Sequence, residues 1–176
     1  MKKYKFNLMN IAVSALFTAI LCIMSQISVP TPFGVPLTLQ TTAIALCGYI
    51  LGTKRGVASV GTYILLGAVG VPVFSNFKGG IQALFGLTGG FIFGFLGLVF
   101  LCGLAKTCRK PFLKVLLGFA GILVCHLCGT IQFAVISKVT LLSAFATASL
   151  PFILKDFIML FAAFVIAEII NKRLKI

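Results

Sequence analysis

The chain has 176 residues, of which 60% are hydrophobic and 10% are charged, and its mean hydropathy is +1.18. A water-soluble domain of this size needs a surface that is about a quarter or more charged, so the composition excludes an ordinary soluble protein. The net charge of +13 is carried by short basic clusters between long apolar segments. This placement is typical of membrane topology rather than of nucleic-acid binding, and residues 1–176 are predicted to form one membrane domain.

Six apolar segments are predicted to be membrane-spanning helices, at 8–28, 38–52, 57–71, 89–105, 114–136 and 151–170. The first follows three lysines, as in a signal peptide, but it is too long for one and ends without a small-residue cleavage site. We therefore expect it to be retained as a span. The second and third are short for a bilayer core that requires about 20 residues. The expected fold is an all-α membrane protein with six transmembrane helices.

The connections differ between the two ends of this predicted bundle. Those at 52–56 and 105–113 are short and basic, those at 29–36 and 71–90 are longer and rich in Pro, Gly and aromatic residues, and a third long one covers 137–151. Basic residues stay on the cytoplasmic side, so both termini are expected to be cytoplasmic and the long loops to face outward. Twelve basic residues fall on the cytoplasmic side (Lys2, Lys3, Lys5, Lys54, Arg55, Lys106, Arg109, Lys110, Lys114, Lys172, Arg173, Lys175) and three on the other (Lys78, Lys138, Lys155).

Small residues recur at helical spacing in three of the segments. Such stripes allow close approach of helices in lipid. Packing within the chain is the expected role of two glycine stripes, Gly86, Gly90, Gly94 and Gly97 around the fourth segment and Gly48 and Gly52 in the second. In the first segment, Ala15 and Ala19 form a small-xxx-small step that could instead face a partner helix.

Signatures of catalysis and of metal binding are absent from the sequence. No Gly-x-x-x-x-Gly-Lys-Ser/Thr loop occurs, so any ATP hydrolysis must come from another chain. No Ser-His-Asp order, carboxylate pair or H-E-x-x-H helix supports an enzyme. The run from Cys125 through His126 to Cys128 has the spacing of half a metal site without a second half, which favours a packed or pore-lining polar patch. No cofactor is expected.

The two acidic residues are predicted to have different roles. Glu168 is four residues before Lys172, which predicts an ion pair at the end of the last helix. Asp156 falls early in the sixth segment, where an ionisable group is costly unless it is paired or faces a polar cavity. A private pair with Lys155 is the alternative, but adjacent helical residues point about 100° apart and seldom meet. Ligand binding by Asp156 is therefore favoured.

Polar and aromatic residues gather at the outward ends of several predicted helices. Each could be a helix cap or an ordinary loop residue, but together they describe an apolar pocket with a few polar groups, as in small-molecule sites. The candidates beside Asp156 and Lys155 are Gln40, Thr41, Thr42, Phe74, Asn76, Lys78, Gln82, Thr88, Gly89 and Gly90.

Four stretches in order, at 35–41, 65–74, 79–91 and 151–156, resemble the BioY family, the biotin-binding S components of energy-coupling factor (ECF) transporters. The resemblance covers nearly the whole chain. It implies a six-helix subunit of the bacterial cell membrane that captures biotin from outside and works with a transmembrane T component and two ATP-binding subunits. It also implies that Asp156 lies in the pocket and that the Ala15–Ala19 step contacts the T component.

The chain departs from the family pattern at three places near the pocket. Leu87 stands where the family usually has Pro, Leu154-Lys155 stand for Pro-Gly, and Met159 stands for a Lys. Lys155 and Lys78 are therefore the candidates to meet the carboxylate of biotin. An S component or carrier for another vitamin or a nucleobase is the main alternative, followed by a membrane enzyme or a channel.

Overall fold

The structure, a computed structural model, describes residues 8–32 and 34–174. Within these residues the chain forms seven helices, a two-stranded hairpin and a 3₁₀ turn at Ser75–Phe77. The strands β1 (Ser28–Val29) and β2 (Leu37–Thr38) pair antiparallel. The helices are α1 (Leu8–Gln26), α2 (Gln40–Ala68), α3 (Ile81–Leu84), α4 (Gly89–Ala105), α5 (Pro111–Ser137), α6 (Leu141–Ala148) and α7 (Leu150–Leu174).

Helix α2 contains both the second and the third predicted spans. The predicted basic connection at 52–56 is a single non-helical residue, Gly52, with φ 76° and ψ 178°, a conformation that glycine adopts without steric cost. The two halves of α2 fold back on each other, since the Cys47 thiol donates to the Gly56 carbonyl near the bend and Gln40 Nε2 lies 2.6 Å from the Tyr63 hydroxyl at the far end. The halves are therefore antiparallel, as two successive spans would be.

The glycine stripes pack helix against helix, as predicted. A Cβ added at Gly94 would lie 2.7 Å from the Cα of Cys125, and one at Gly48 would lie 2.6 Å from the Cβ of Cys102. These contacts bring α4 against α5 and against the first half of α2. The core between these helices includes the fully enclosed side chains of Leu98 and Ile122.

The connection at 137–151 differs from the predicted loop. It contains α6, whose N-terminus is capped by Thr140 accepting from the Ser143 N–H at 3.3 Å. Ala144 and Ala148 of this helix are fully buried. Eight residues are too few to give a span-like apolar signal, which is why the sequence pattern did not indicate a helix here.

The predicted ion pair of Glu168 with Lys172 is wrong. Glu168 instead accepts from Lys114 Nζ at 2.6 Å, across from α7 to the start of α5. Lys114 extends from the neighbouring helix directly to the carboxylate. The pair therefore joins two helices rather than capping one.

Much of the outer surface of the bundle is apolar. Exposed side chains include Leu16, Ile23, Leu127 and Val135. Among the described residues, α1 and α5 are long and apolar enough to cross a membrane, and α4 is a shorter apolar helix. These surfaces fit lipid as the surrounding medium, in agreement with a membrane protein.

Candidate ligand-binding site

A cavity opens where the first turns of α2, α4 and α7 meet the middle of α5 and the 74–78 segment. Its space is about 750 Å³ when the open solvent at its mouth is included. Apolar side chains, several of them aromatic, line it together with almost as many polar or charged ones. The lining includes Thr38, Gln40, Thr41, Phe74, Lys78, Thr88, Phe91, Phe95, His126, Phe152, Lys155 and Asp156.

Asp156 is the charged centre of this pocket, and its side chain is almost completely enclosed. Its Oδ1 accepts from the Thr41 hydroxyl at 2.6 Å and from Lys155 Nζ at 2.6 Å. Its Oδ2 lies 3.1 Å from His126 Nε2. Three protein groups from three helices therefore stabilise one buried carboxylate, as a buried charge requires.

The expectation that Lys155 and Asp156 would not meet is wrong. The long, flexible lysine side chain bends back to the carboxylate despite the angle between adjacent helical positions. The pair is not private, because Lys155 Nζ also donates to the Thr38 carbonyl at 2.7 Å and both residues line the pocket. Lys155 thereby ties the start of α7 to β2.

Gln40 holds the part of the pocket wall that is formed by the 73–75 segment. Its Nε2 donates to the Tyr63 hydroxyl at 2.6 Å, and its Oε1 accepts from the Ser75 hydroxyl at 2.9 Å. The Tyr63 hydroxyl donates in turn to the Val73 carbonyl. This network fixes the 73–75 segment and with it the ring of Phe74, which packs edge-to-face on Tyr63 with centroids 5.5 Å apart.

Lys78 lies at the mouth of the cavity and is exposed to solvent. Its backbone carbonyl accepts from the Phe74 N–H at 2.9 Å, which closes the turn that carries both residues. Within the described part of the chain, its ammonium group has neither an ion-pair nor a hydrogen-bond partner.

Five of the predicted site residues lie outside the lining of the pocket. Asn76, in a left-handed conformation with φ 58°, accepts from the Ser28 hydroxyl, and Gln82 is exposed beside Gly80. Gly89 and Gly90 are packing residues, because an added Cβ would meet the Leu84 and Cys128 carbonyl oxygens at 1.7 and 2.3 Å. Thr42 is buried on α2 but is likewise outside the lining.

His126 is the residue that sequence reasoning missed. The expectation of a packed polar patch is confirmed, but its bond to Asp156, 30 positions away along the chain, was not predicted. An ionisable residue within the apolar middle of a helix was the available signal. No group of three metal-ligating side chains occurs in the ranges that the structure describes.

Ala15 and Ala19 are exposed on the outer side of α1. The alternative that they pack inside the bundle is therefore wrong. Buried positions of α1 are instead Thr18, Leu21 and Ser25, where the Thr18 hydroxyl donates to the Ser59 carbonyl of α2 at 3.1 Å.

Known proteins resemble this chain along nearly all of its length. The biotin transporter BioY of Thermotoga maritima is 39% identical over 165 residues, which are 92% of this chain and 93% of that protein. The probable biotin transporter BioY of Pyrococcus horikoshii is 39% identical over 159 residues, 90% of this chain and 94% of that one.

A solved structure has the same fold. The crystal structure of the S-component for biotin from an ECF-type ABC transporter matches with a TM-score of 0.86 and 29% identity, covering 93% of this chain and 91% of that chain. The model of the BioY family matches residues 1–176. The full-length match, the sequence relatives and the shared fold agree, and the chain belongs to the BioY family.

Proposed function

We propose that this protein is the biotin-capturing S component of an ECF-type importer. The observation that carries the proposal is the enclosed pocket with Asp156 at its centre. The relatives are named as biotin transporters, and the matching crystal structure is of a biotin S-component. Such a subunit binds and releases its cargo and catalyses no reaction.

The chemistry of the pocket suits the parts of biotin. The ureido ring offers two N–H donors and a carbonyl, the bicycle is apolar, and the tail ends in a carboxylate. Asp156 can accept a ureido N–H in a charge-assisted hydrogen bond, and the Thr88 hydroxyl can donate to the carbonyl. The rings of Phe74, Phe91 and Phe152 then cover the bicycle.

Lys78 is the better candidate to hold the tail carboxylate. Lys155 already neutralises Asp156 and bonds to the Thr38 carbonyl, whereas the Lys78 ammonium has no partner among the described residues and stands at the mouth. A flexible tail that points toward solvent would meet Lys78 first. Lys155 is thus the counter-ion of Asp156, and Lys78 contacts the carboxylate of the ligand.

Release requires the mouth of the pocket to widen, and two glutamines hold the 71–90 segment beside it in place. Gln26 donates to the Pro72 and Phe74 carbonyls and accepts from the Phe77 N–H at 3.0 Å. Gln132 donates at 2.8 Å to the carbonyls of Leu84 and Gly86. Movement of the 71–90 segment, driven by the partner subunits, would break these bonds and free the ligand.

The assembly and topology belong to the same proposal. Six spans, with both halves of α2 counted, place both termini in the cytoplasm and the pocket at the outer face of the bacterial cell membrane. The antiparallel halves of α2 and the exposed apolar faces support this arrangement. A T component and two ATP-binding subunits would supply the energy of uptake.

Titration of the purified protein in detergent tests the proposal. Biotin, riboflavin and thiamine are compared under the same conditions, and only biotin is expected to bind tightly. Tighter binding of riboflavin or thiamine would assign the protein to a different cargo. Absence of binding by any of them would leave the capture role without support.

A further inference from the structure

His126 is enclosed midway along α5, with 4% of its surface exposed. Its ring packs edge-to-face on Phe91, with centroids 5.7 Å apart, and its Nε2 faces Asp156. Its Nδ1 is buried and has no hydrogen-bond partner in the described part of the chain. The ring also separates the ligand pocket from an apolar groove that is lined by Leu123, Leu127, Thr130, Phe145 and Ile153.

The hydrogen bonds of Asp156 leave one acceptor position unused. An ionised carboxylate offers about four lone-pair positions, two on each oxygen. Thr41 and Lys155 occupy both positions on Oδ1. His126 occupies one position on Oδ2, so a ligand finds a single acceptor on that oxygen.

The surroundings of His126 place a proton on Nε2. That nitrogen faces the Asp156 carboxylate oxygen, which can only accept while Asp156 is ionised. With the only ring proton on Nδ1 instead, Nε2 would have no proton to donate to Asp156, and Nδ1 would be a buried donor without an acceptor among the described residues.

We propose that His126 is a positioning residue that aims the free acceptor of Asp156 Oδ2 at one N–H of the ligand. The inference rests on the proposed binding of biotin, whose ureido ring has two N–H groups. Asp156 bonds to one of these two groups. His126 thus contributes to specificity through the orientation of Asp156.

Two variants test the donor role of His126 while keeping the wall of the pocket. His126→Phe preserves a planar ring against Phe91 without an N–H, and His126→Gln restores an N–H at a similar reach. Alanine is unsuitable because removing the ring would join the pocket to the apolar groove. Each protein is titrated with biotin and with the two biotin derivatives that carry a methyl group on one or the other ureido nitrogen.

We expect His126→Phe to weaken biotin binding by about tenfold or more, the scale of a hydrogen bond to a charged group, and His126→Gln to recover most of the loss. In the wild type, one methylated derivative should bind much more weakly than biotin. The His126→Phe change should hardly affect that derivative, because the bond to Asp156 is already lost. The other derivative should lose affinity as biotin does.

If His126→Phe lost the same affinity for biotin and for both derivatives, His126 would only form part of the pocket wall, and the inference would be overturned. Unchanged biotin affinity in His126→Phe, or a His126→Gln variant as weak as His126→Phe, would overturn it as well. The affinities for the three ligands are compared on the same preparation of each variant. A partly destabilised variant therefore still shows whether His126 acts on one ureido N–H. Failure of the wild type to bind biotin would instead contradict the proposed function itself.

Discussion

Asp156 combines a buried charge with three protein donors, so replacing it changes the pocket in a predictable way. In Asp156→Asn the shape is kept, but the charge is lost and an amide N–H₂ faces at least one donor among Thr41, Lys155 and His126. We expect biotin binding to weaken by about 1.5–3 kcal/mol, the scale of a charge-assisted hydrogen bond. Titration in detergent measures it.

Glu168→Gln is the matched control for this carboxylate change. It breaks the ion pair with Lys114 at the other end of the bundle and should leave biotin affinity unchanged. A folded Asp156→Asn protein with wild-type affinity would show that Asp156 serves only the structure.

The roles of the two pocket lysines are distinguished by comparing the affinities for biotin and for biotin amide, which lacks the tail charge. Lys78→Met should weaken binding of biotin by about tenfold, as expected for loss of a hydrogen bond to a charged group, with little effect on the amide. Lys155→Met should weaken both ligands, because it leaves the buried Asp156 without its counter-ion.

Lys138→Met is the control, since Lys138 is exposed on the same predicted outer face and does not line the pocket. Its affinities for both ligands should equal those of the wild type. If Lys78→Met reduced the affinity for biotin and for the amide equally, Lys78 would have no role at the carboxylate.

At the residue scale, sequence reasoning identified groups whose chemistry is unusual at their position, but not their partners. An aspartate near the start of an apolar helix is costly unless it is used, so Asp156 was predictable. Its bond to His126 depends on how α5 and α7 pack, which no local pattern indicates. The contact with Lys155 was wrongly dismissed because the Cα–Cβ directions were considered without the length of the lysine side chain.

Elements were predicted well where the apolar run is long. Helix α4 has the predicted bounds, and α1, α5 and α7 differ from the prediction by four residues or fewer at each end, since the length of an apolar run determines a span. Helix α6 was missed because it is short and begins at a capped turn, at Thr140. The second and third predicted spans are present as the two halves of α2, and only the connection between them is shorter than predicted, a bend at Gly52.

Because α4 packs closely on α5, we expect Gly94→Ala and Gly61→Ala to differ strongly in their effect on the free energy of unfolding. Gly94→Ala places a Cβ 2.7 Å from the Cα of Cys125, against backbone that cannot move aside, so we expect a loss of about 1–3 kcal/mol in the free energy of unfolding. Thermal unfolding in detergent measures this, with biotin binding followed on the same samples.

Gly61→Ala is the control for helix packing. An added Cβ at Gly61 meets nothing within 4 Å, and alanine is favoured over glycine within a helix by roughly 0.5–1 kcal/mol. Gly61→Ala should therefore leave the stability unchanged or raise it. Equal destabilisation by the two changes would contradict the role assigned to Gly94.

On the scale of the whole molecule, binding and transport should depend on different surfaces. The pocket lies where α2, α4, α5 and α7 meet, whereas Ala15 and Ala19 are exposed on α1, beside the exposed Leu16. Small residues one helical turn apart permit the close van der Waals approach on which helix association in lipid depends. This face of α1 is therefore the expected contact with the T component.

Changing both Ala15 and Ala19 to Trp should block uptake, because the bulky rings hold the coupling helices apart, while biotin binding in detergent should persist. The paired changes Ile131→Trp and Val135→Trp are the control, since these residues are also one turn apart and exposed, but on α5. That control should transport normally. Uptake in cells, recovery of the T component with the tagged protein and biotin binding are measured on both double variants. Normal uptake by the α1 variant, with the T component still bound, would exclude this face as the coupling surface.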